Sequence, residues 1–168
     1  MAGTDATIHA SAVLVGAKAA LIRGPSGSGK SRLAWDLVTA ANEGLLPFAR
    51  LVGDDRVYLE TRSGRLLVRP AQALAGMIEI HGLGIRRMEF EPVAAVGFVV
   101  DLGATDVARN PRPADITIEG VALPRLAVAP GMTPLSLVLA ALHIPPRGEL
   151  TPGCELATSG ALDLIDEN

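Results

Sequence analysis

The chain has 168 residues, a formal net charge of −3, 49% hydrophobic residues and 3% aromatics. That length fits one domain with an aliphatic core. The acidic balance argues against nucleic-acid binding, which draws on a basic excess, and no apolar run approaches the roughly 20 residues of a membrane span. The single cysteine, Cys154, cannot form an internal disulfide and suits a reducing, cytoplasmic setting. Met1 to His9 has no basic stretch followed by an apolar one, so no signal peptide is expected.

Taken in chain order, Ala10–Val15 and Ala19–Ile22 flank Gly16-Ala17-Lys18 and read as a hairpin. Gly24 to Ser31 follows the second strand. Ser31–Val38 reads as a helix with Leu33, Leu37 and Val38 on one face, ending near Asn42-Glu43-Gly44, and Trp35 reads as core. Arg50–Val52 is a short strand running into Gly53-Asp54-Asp55. Val57–Glu60 and Arg65–Arg69 pair across the turn Thr61–Gly64. Met77–Ile80 is apolar and leads to the loop His81-Gly82-Leu83-Gly84. Val93–Leu102 is the most strand-like run, with both faces buried. Asp106–Asp115 is polar and Pro-rich, hence a loop, and Ile116–Ile118 and Leu126–Val128 are late strands. Thr133 can cap a helix that starts at Pro134, runs to Leu142 and has His143 at its end. The expected fold is α/β, a mixed sheet with flanking helices, in a single domain over 1–168. Its core would span about 1–147, leaving 148–168 as a flexible tail that is poorly ordered or binds a partner.

Gly24-Pro25-Ser26-Gly27-Ser28-Gly29-Lys30-Ser31 satisfies the phosphate-loop pattern G-x-x-x-x-G-K-[ST] at every fixed position. Phosphate oxygens need several backbone N–H donors converging at once, and glycines let the backbone curl that closely. Lys30 can then reach the β and γ phosphates, Ser31 can ligate Mg²⁺, and the helix that follows points its positive end at the anion. The chain's other lysine is Lys18, and its remaining basic residues are arginines. A lysine at the one position that needs a compact point charge is therefore informative.

Phosphoryl transfer also needs a further acid to hold metal and a group to take the acceptor's proton. Two segments qualify. Gly97-Phe98-Val99-Val100-Asp101 is an apolar strand ending in an acid, and Leu51-Val52-Gly53-Asp54-Asp55 ends in an acidic pair. Closeness of two carboxylates can poise one of them as a base. A strand-end cap is the plain alternative for Asp101 and a polar turn for Asp54-Asp55, and spacing alone leaves the choice open.

Met77-Ile78-Glu79-Ile80-His81-Gly82-Leu83-Gly84-Ile85 resembles the L-E-I-R-G-L-G-I-type signature of the HPr kinase/phosphorylase family. Thr7-Ile8-His9-Ala10-Ser11 resembles that family's T-x-H segment, one hairpin before the phosphate loop. Gly53-Asp54-Asp55-Arg56-Val57 resembles its A-D-D-x-V segment. The resemblance runs in order from about Thr7 to Leu142 and corresponds to a short form carrying only the catalytic domain. It implies a phosphate-loop kinase core related to phosphoenolpyruvate carboxykinase. The implied activity is ATP-dependent phosphorylation of a serine on the small phosphocarrier protein HPr, with pyrophosphate as a possible donor and phosphorolysis as a possible reverse reaction. By the same resemblance, Lys30, Asp54 and His9 match catalytic positions, Asp54 as the acid/base. Ser31 and Glu79 match Mg²⁺ ligands. Arg109 matches, loosely, a catalytic arginine, with Arg112 as the alternative. The expected assembly is a homo-oligomer.

Two departures stand out. His81 occupies the signature position that is usually arginine, and the loop Ala129-Pro130-Gly131-Met132-Thr133 lacks the arginines of long members. That loop is associated with dephosphorylation in the family, so the kinase direction is expected to dominate. The rival readings are a small-molecule kinase using Asp101 as its second acid with Arg109 and Arg112 on a lid, and a non-enzymatic ATP-sensing domain. A GTPase is disfavoured because no N-K-x-D motif is present.

Overall fold

The computed structural model describes residues 6–144; the tail expected over 148–168 lies outside them. The elements are β1 (Ile8–His9), β2 (Ser11–Val15), β3 (Lys18–Arg23), α1 (Lys30–Asn42), β4 (Ala49–Gly53), β5 (Arg56–Arg62), β6 (Arg65–Pro70), a 3₁₀ turn (Gln72–Leu74), β7 (Met77–Ile80), β8 (Gly84–Arg87), β9 (Ala94–Leu102), β10 (Ala114–Ile118), β11 (Val121–Val128) and α2 (Pro134–His143). Nine strands form one mixed sheet in the order β1-β5-β6-β9-β3-β2-β4, with the β10–β11 hairpin attached through β11 to β9. No helix among the described residues is long and apolar enough to cross a membrane.

The centre of this sheet is parallel. β3 pairs with β9 through Ile22↔Val100 and Arg23↔Asp101, and β11 pairs with the far side of β9 through Leu126↔Val100. The antiparallel β2–β3 hairpin feeds the phosphate loop as the sequence suggests. Side-chain alternation divides the apolar residues between two faces. Ile22 and Val100 join Leu33, Leu37 and Val138 beneath the helices, while Leu21 and Val99 join Val57, Leu66, Val68 and Leu123 on the other face, where every buried residue comes from strands or their flanks. Leu37 is fully buried, and truncating such a leucine to alanine costs about 2–5 kcal/mol.

On α1 the stripe Leu33, Ala34, Leu37, Val38 and Ala40 is buried at helical spacing. Trp35 falls off that stripe. It is 43% exposed and lines a surface hollow with Phe48 and Met88, which corrects its reading as core. The helix ends as anticipated: Gly44 at φ 79° turns the chain, and its N–H and that of Leu45 bond back to the Ala41 and Ala40 carbonyls.

The double-glycine segment after Ile80 is a hairpin turn rather than an open loop. β7 and β8 pair from Ile80↔Gly84 to Met77↔Arg87. All four residues of β8 are exposed, so no buried face imposed an alternation on its sequence. Asp115 belongs to β10 rather than to the preceding loop, and β11 starts five residues before the expected Leu126 and accommodates Pro124. Among the described residues β10 makes no other strand pairing.

Candidate active site

Four segments converge on one cleft of about 570 Å³, lined by His9, Ser11, Ser26, Gly27, Gly29, Lys30, Ser31, Arg32, Asp54, Asp55, Glu79, Ile80 and His81. β1 and β2 bring His9 and Ser11, and the β3–α1 connection brings the phosphate loop. The β4–β5 turn brings the acidic pair, while β7 and its turn bring Glu79 and His81.

Gly24 opens the phosphate loop at φ 151°, where a Cβ would stand 2.8 Å from the Leu102 carbonyl oxygen and 2.6 Å from Ser28 Oγ. A side chain there is excluded on both counts. The first ladder bond of α1 runs from Leu33 N–H to the Gly29 carbonyl, which leaves the N–H groups of Lys30, Ser31 and Arg32 outside the helical ladder. Together with the helix dipole they form an anion-binding end. Lys30 is 6% exposed, and its Nζ donates to the Gly24 and Pro25 carbonyls at 3.0 Å each. Burial lowers its pKa, outweighing the opposing pull of Asp54 and Asp55. An anion on the loop would stabilise the ammonium that burial disfavours.

Asp54 is the most enclosed acid of the cleft, 3% exposed. It accepts from Ser11 Oγ at 2.5 Å, from Ser31 Oγ at 2.9 Å, and from the Glu79 backbone N–H at 3.2 Å. Its position therefore depends on three segments distant in sequence. Asp55 sits at φ 66°, a left-handed conformation that aspartate tolerates better than most residues. Its carboxylate lies 3.1 Å from His9 Nε2. Glu79 is exposed on β7 and faces the same cleft. The donor set of Ser31 hydroxyl, Asp54 and Glu79 is all oxygen, which suits a hard divalent cation such as Mg²⁺. Among the described residues no three His, Cys, Asp or Glu side chains form a ready cage. Mg²⁺ held by one or two carboxylates and a substrate's phosphates does not need one.

Asp101 is elsewhere and engaged. Arg23 grips both of its carboxylate oxygens with Nε and Nη2, each at 2.8 Å, and Arg125 Nε donates at 2.6 Å to the Oδ2 that Arg23 Nη2 also holds. Burial opposes its charge, but the two arginines prevail and hold its carboxyl below the usual range. It does not line the cleft. Arg109 and Arg112 are exposed in the segment after β9 and do not line the cleft either, so the structure does not gather Arg109 with His9, Lys30 and Asp54. Ser11 was missed in the sequence reading, although a buried hydroxyl in an otherwise apolar strand was a usable signal. The pairing of His9 with Asp55 was missed as well.

Residues 2–90 match the family profile described as HPr Serine kinase C-terminal domain. That stretch holds more than half the chain and every residue that lines the cleft. The chain belongs to this family. HPr kinase/phosphorylase of Mycoplasma mycoides is 31% identical over 111 residues, covering 66% of this chain and 30% of that protein. HPr kinase/phosphorylase of Clostridium beijerinckii is 36% identical over 81 residues, covering 48% of this chain and 24% of that protein. The matched stretch thus spans under a third of either relative. The structure of the Hpr(Ser) kinase/phosphatase from Coxiella burnetii superposes with a TM-score of 0.66 at 23% identity, covering 82% of this chain and 95% of that one. This likeness shows that the chain shares the α/β fold of that structure.

Proposed function

We propose that this domain is an ATP-dependent protein serine kinase that phosphorylates an HPr-type phosphocarrier in the cytoplasm. The observation that carries the proposal is Asp54, buried and bonded to the phosphate-loop serine Ser31, in the same cleft as Lys30. A domain that only senses ATP needs no carboxylate fixed beside the phosphate loop; a transferase does.

In this reading the loop amides and Lys30 hold the β and γ phosphates. Mg²⁺ would be held by Ser31 and Glu79 and would neutralise charge developing on the transferred group. Asp54 accepts the proton of the acceptor serine as its oxygen attacks the γ phosphorus and the bond to the ADP oxygen breaks. His9, paired with Asp55, orients that second carboxylate at the mouth of the cleft. Arg109 is the candidate for an additional positive charge supplied from the segment after β9. The engagement of Asp101 by two arginines disfavours the small-molecule kinase, which would need that acid free. Phosphorolysis of the phosphoserine form is the weaker direction, and pyrophosphate is a possible alternative donor.

The test is incubation with γ-labelled ATP, Mg²⁺ and purified HPr, in parallel with HPr whose acceptor serine is changed to alanine. Label on the first and none on the second is expected. Label on neither protein, with ATP bound, would overturn the kinase reading.

A further inference from the structure

Four charged side chains form an unbroken chain outside the cleft. Arg23, the residue immediately before Gly24, is bonded to Asp101 at 2.8 Å, and Asp101 to Arg125 at 2.6 Å. Arg125 in turn is bonded to Asp106 through Nη1 at 2.8 Å and Nη2 at 3.2 Å. Asp106 lies in the segment between β9 and β10 that carries Arg109 and Arg112. The turn that follows Arg23 also lies against the end of β9. A Cβ on Gly24 would stand 2.8 Å from the Leu102 carbonyl, and one on Gly103 would stand 3.5 Å from Pro25. The carbonyls of Gly24 and Pro25 are the ones that hold the Lys30 ammonium.

From this geometry we infer that Asp106 is a positioning residue. Through Arg125, Asp101 and Arg23 it moors segment 103–113 to the opening turn of the phosphate loop, so that occupation of the loop is felt by the segment that bears Arg109. The physical route is short. An anion that draws Lys30 away leaves the Gly24 and Pro25 carbonyls without their donor, and that turn lies against Leu102 and Gly103. Arginine is required at position 125 because a planar fork can serve Asp101 and Asp106 together, which a single ammonium serves poorly. The coupling rests on the nucleotide reading of the cleft; the mooring does not.

Trypsin reads this directly, because Arg109–Asn110 is exposed and cleavable, whereas Arg112 precedes proline and resists. Cleavage at Arg109–Asn110 is followed by mass spectrometry in the full chain, with thermal melting as a control. In Asp106→Asn and Arg125→Lys, cleavage without nucleotide should be about two- to fivefold faster than in the unaltered protein, the size expected for losing one partly exposed ion pair. A non-hydrolysable ATP analogue with Mg²⁺ should change the cleavage rate in the unaltered protein and change it much less in both variants. Equal cleavage without nucleotide in variants and unaltered protein would overturn the mooring. Equal nucleotide effects in all three would overturn the coupling. Calorimetry on the same analogue separates the cases: absence of binding would overturn the nucleotide reading and the coupling with it, leaving the comparison without nucleotide valid.

Discussion

Ser31 Oγ stands 2.9 Å from each carboxylate oxygen of Asp54. One hydroxyl proton is shared between two acceptors, and in the proposed reading it is also the hydroxyl that meets the cation. Turning Ser31 toward Mg²⁺ would release acceptor positions on Asp54 that face the cleft. In the proposed reading, metal binding and exposure of the base are then one event. Ser31→Ala should therefore raise the Mg²⁺ concentration needed for half-maximal activity without removing phosphate-loop charge. An unchanged Mg²⁺ requirement would contradict this link.

Lys30→Ala should abolish transfer to HPr, with a loss of at least about 100-fold, as for other charge-stabilising groups aimed at a transition state. Lys30 is the loop's only ammonium, and its carbonyl partners Gly24 and Pro25 hold it in place before any phosphate arrives. Labelled-phosphate transfer measures it, and full turnover in the variant would remove the phosphate-loop reading.

Asp54→Asn and Asp101→Asn should separate chemistry from stability. The first should lower kcat by about 10²–10⁴-fold while ATP still binds, since a base acts in the transition state more than in ground-state binding. The second should leave kcat within a small factor and cost about 1–3 kcal/mol of stability, because Arg23 and Arg125 lose a charged partner. Steady-state kinetics and urea unfolding on both variants decide it; the reverse pattern would favour the small-molecule kinase.

Glu79→Gln should shift the Mg²⁺ dependence of ATP binding to higher metal, because an amide oxygen carries no charge for a hard cation. Asp54 accepts from the Glu79 backbone N–H, not from its side chain, so the substitution leaves that bond in place. Superimposable Mg²⁺ titrations would remove Glu79 from the metal site.

Acid should erase the difference between the unaltered protein and Asp101→Asn. Burial resists the charge on Asp101, yet Arg23 and Arg125 hold its folded pKa below the ordinary value. A carboxyl whose pKa falls on folding stabilises the fold above its unfolded value, about 3.9, and loses that contribution as pH drops through the folded value. The gap in urea midpoint should be full at pH 7 and narrow below about pH 4. A gap independent of pH would mean that the aspartate's charge contributes nothing.

The parts legible in the sequence were those with local signatures. The β2–β3 hairpin, the phosphate loop, the β5–β6 hairpin and the Asp54-Asp55 turn each carry a turn residue or an apolar alternation. The segments that resemble the family follow one another in order along the chain, and His9, Lys30, Ser31, Asp54 and Glu79 meet in one cleft. What escaped notice has no local pattern. β8 is wholly exposed, so nothing forced its residues to alternate. Trp35 lay next to the buried stripe, and hydrophobicity alone placed it inside. Arg23, Asp101 and Arg125 come together only through strand register across β3, β9 and β11. A charge pair 78 residues apart in sequence has no trace in a window of any helix or strand.

The central position of β9 also bears on the order of events during synthesis. Every residue lining the cleft has been added by His81, yet β3, which aims the phosphate loop, lacks its parallel neighbour until Leu102 exists. Parallel pairing over such a separation is slow to close and cannot be anticipated locally. A nascent chain stalled at Phe90 would carry every side chain that lines the cleft but lack the central strand beside β3. Such ribosome-bound chains should be readily cut by protease and retain no nucleotide, and protection should arise only after β9 has cleared the exit tunnel.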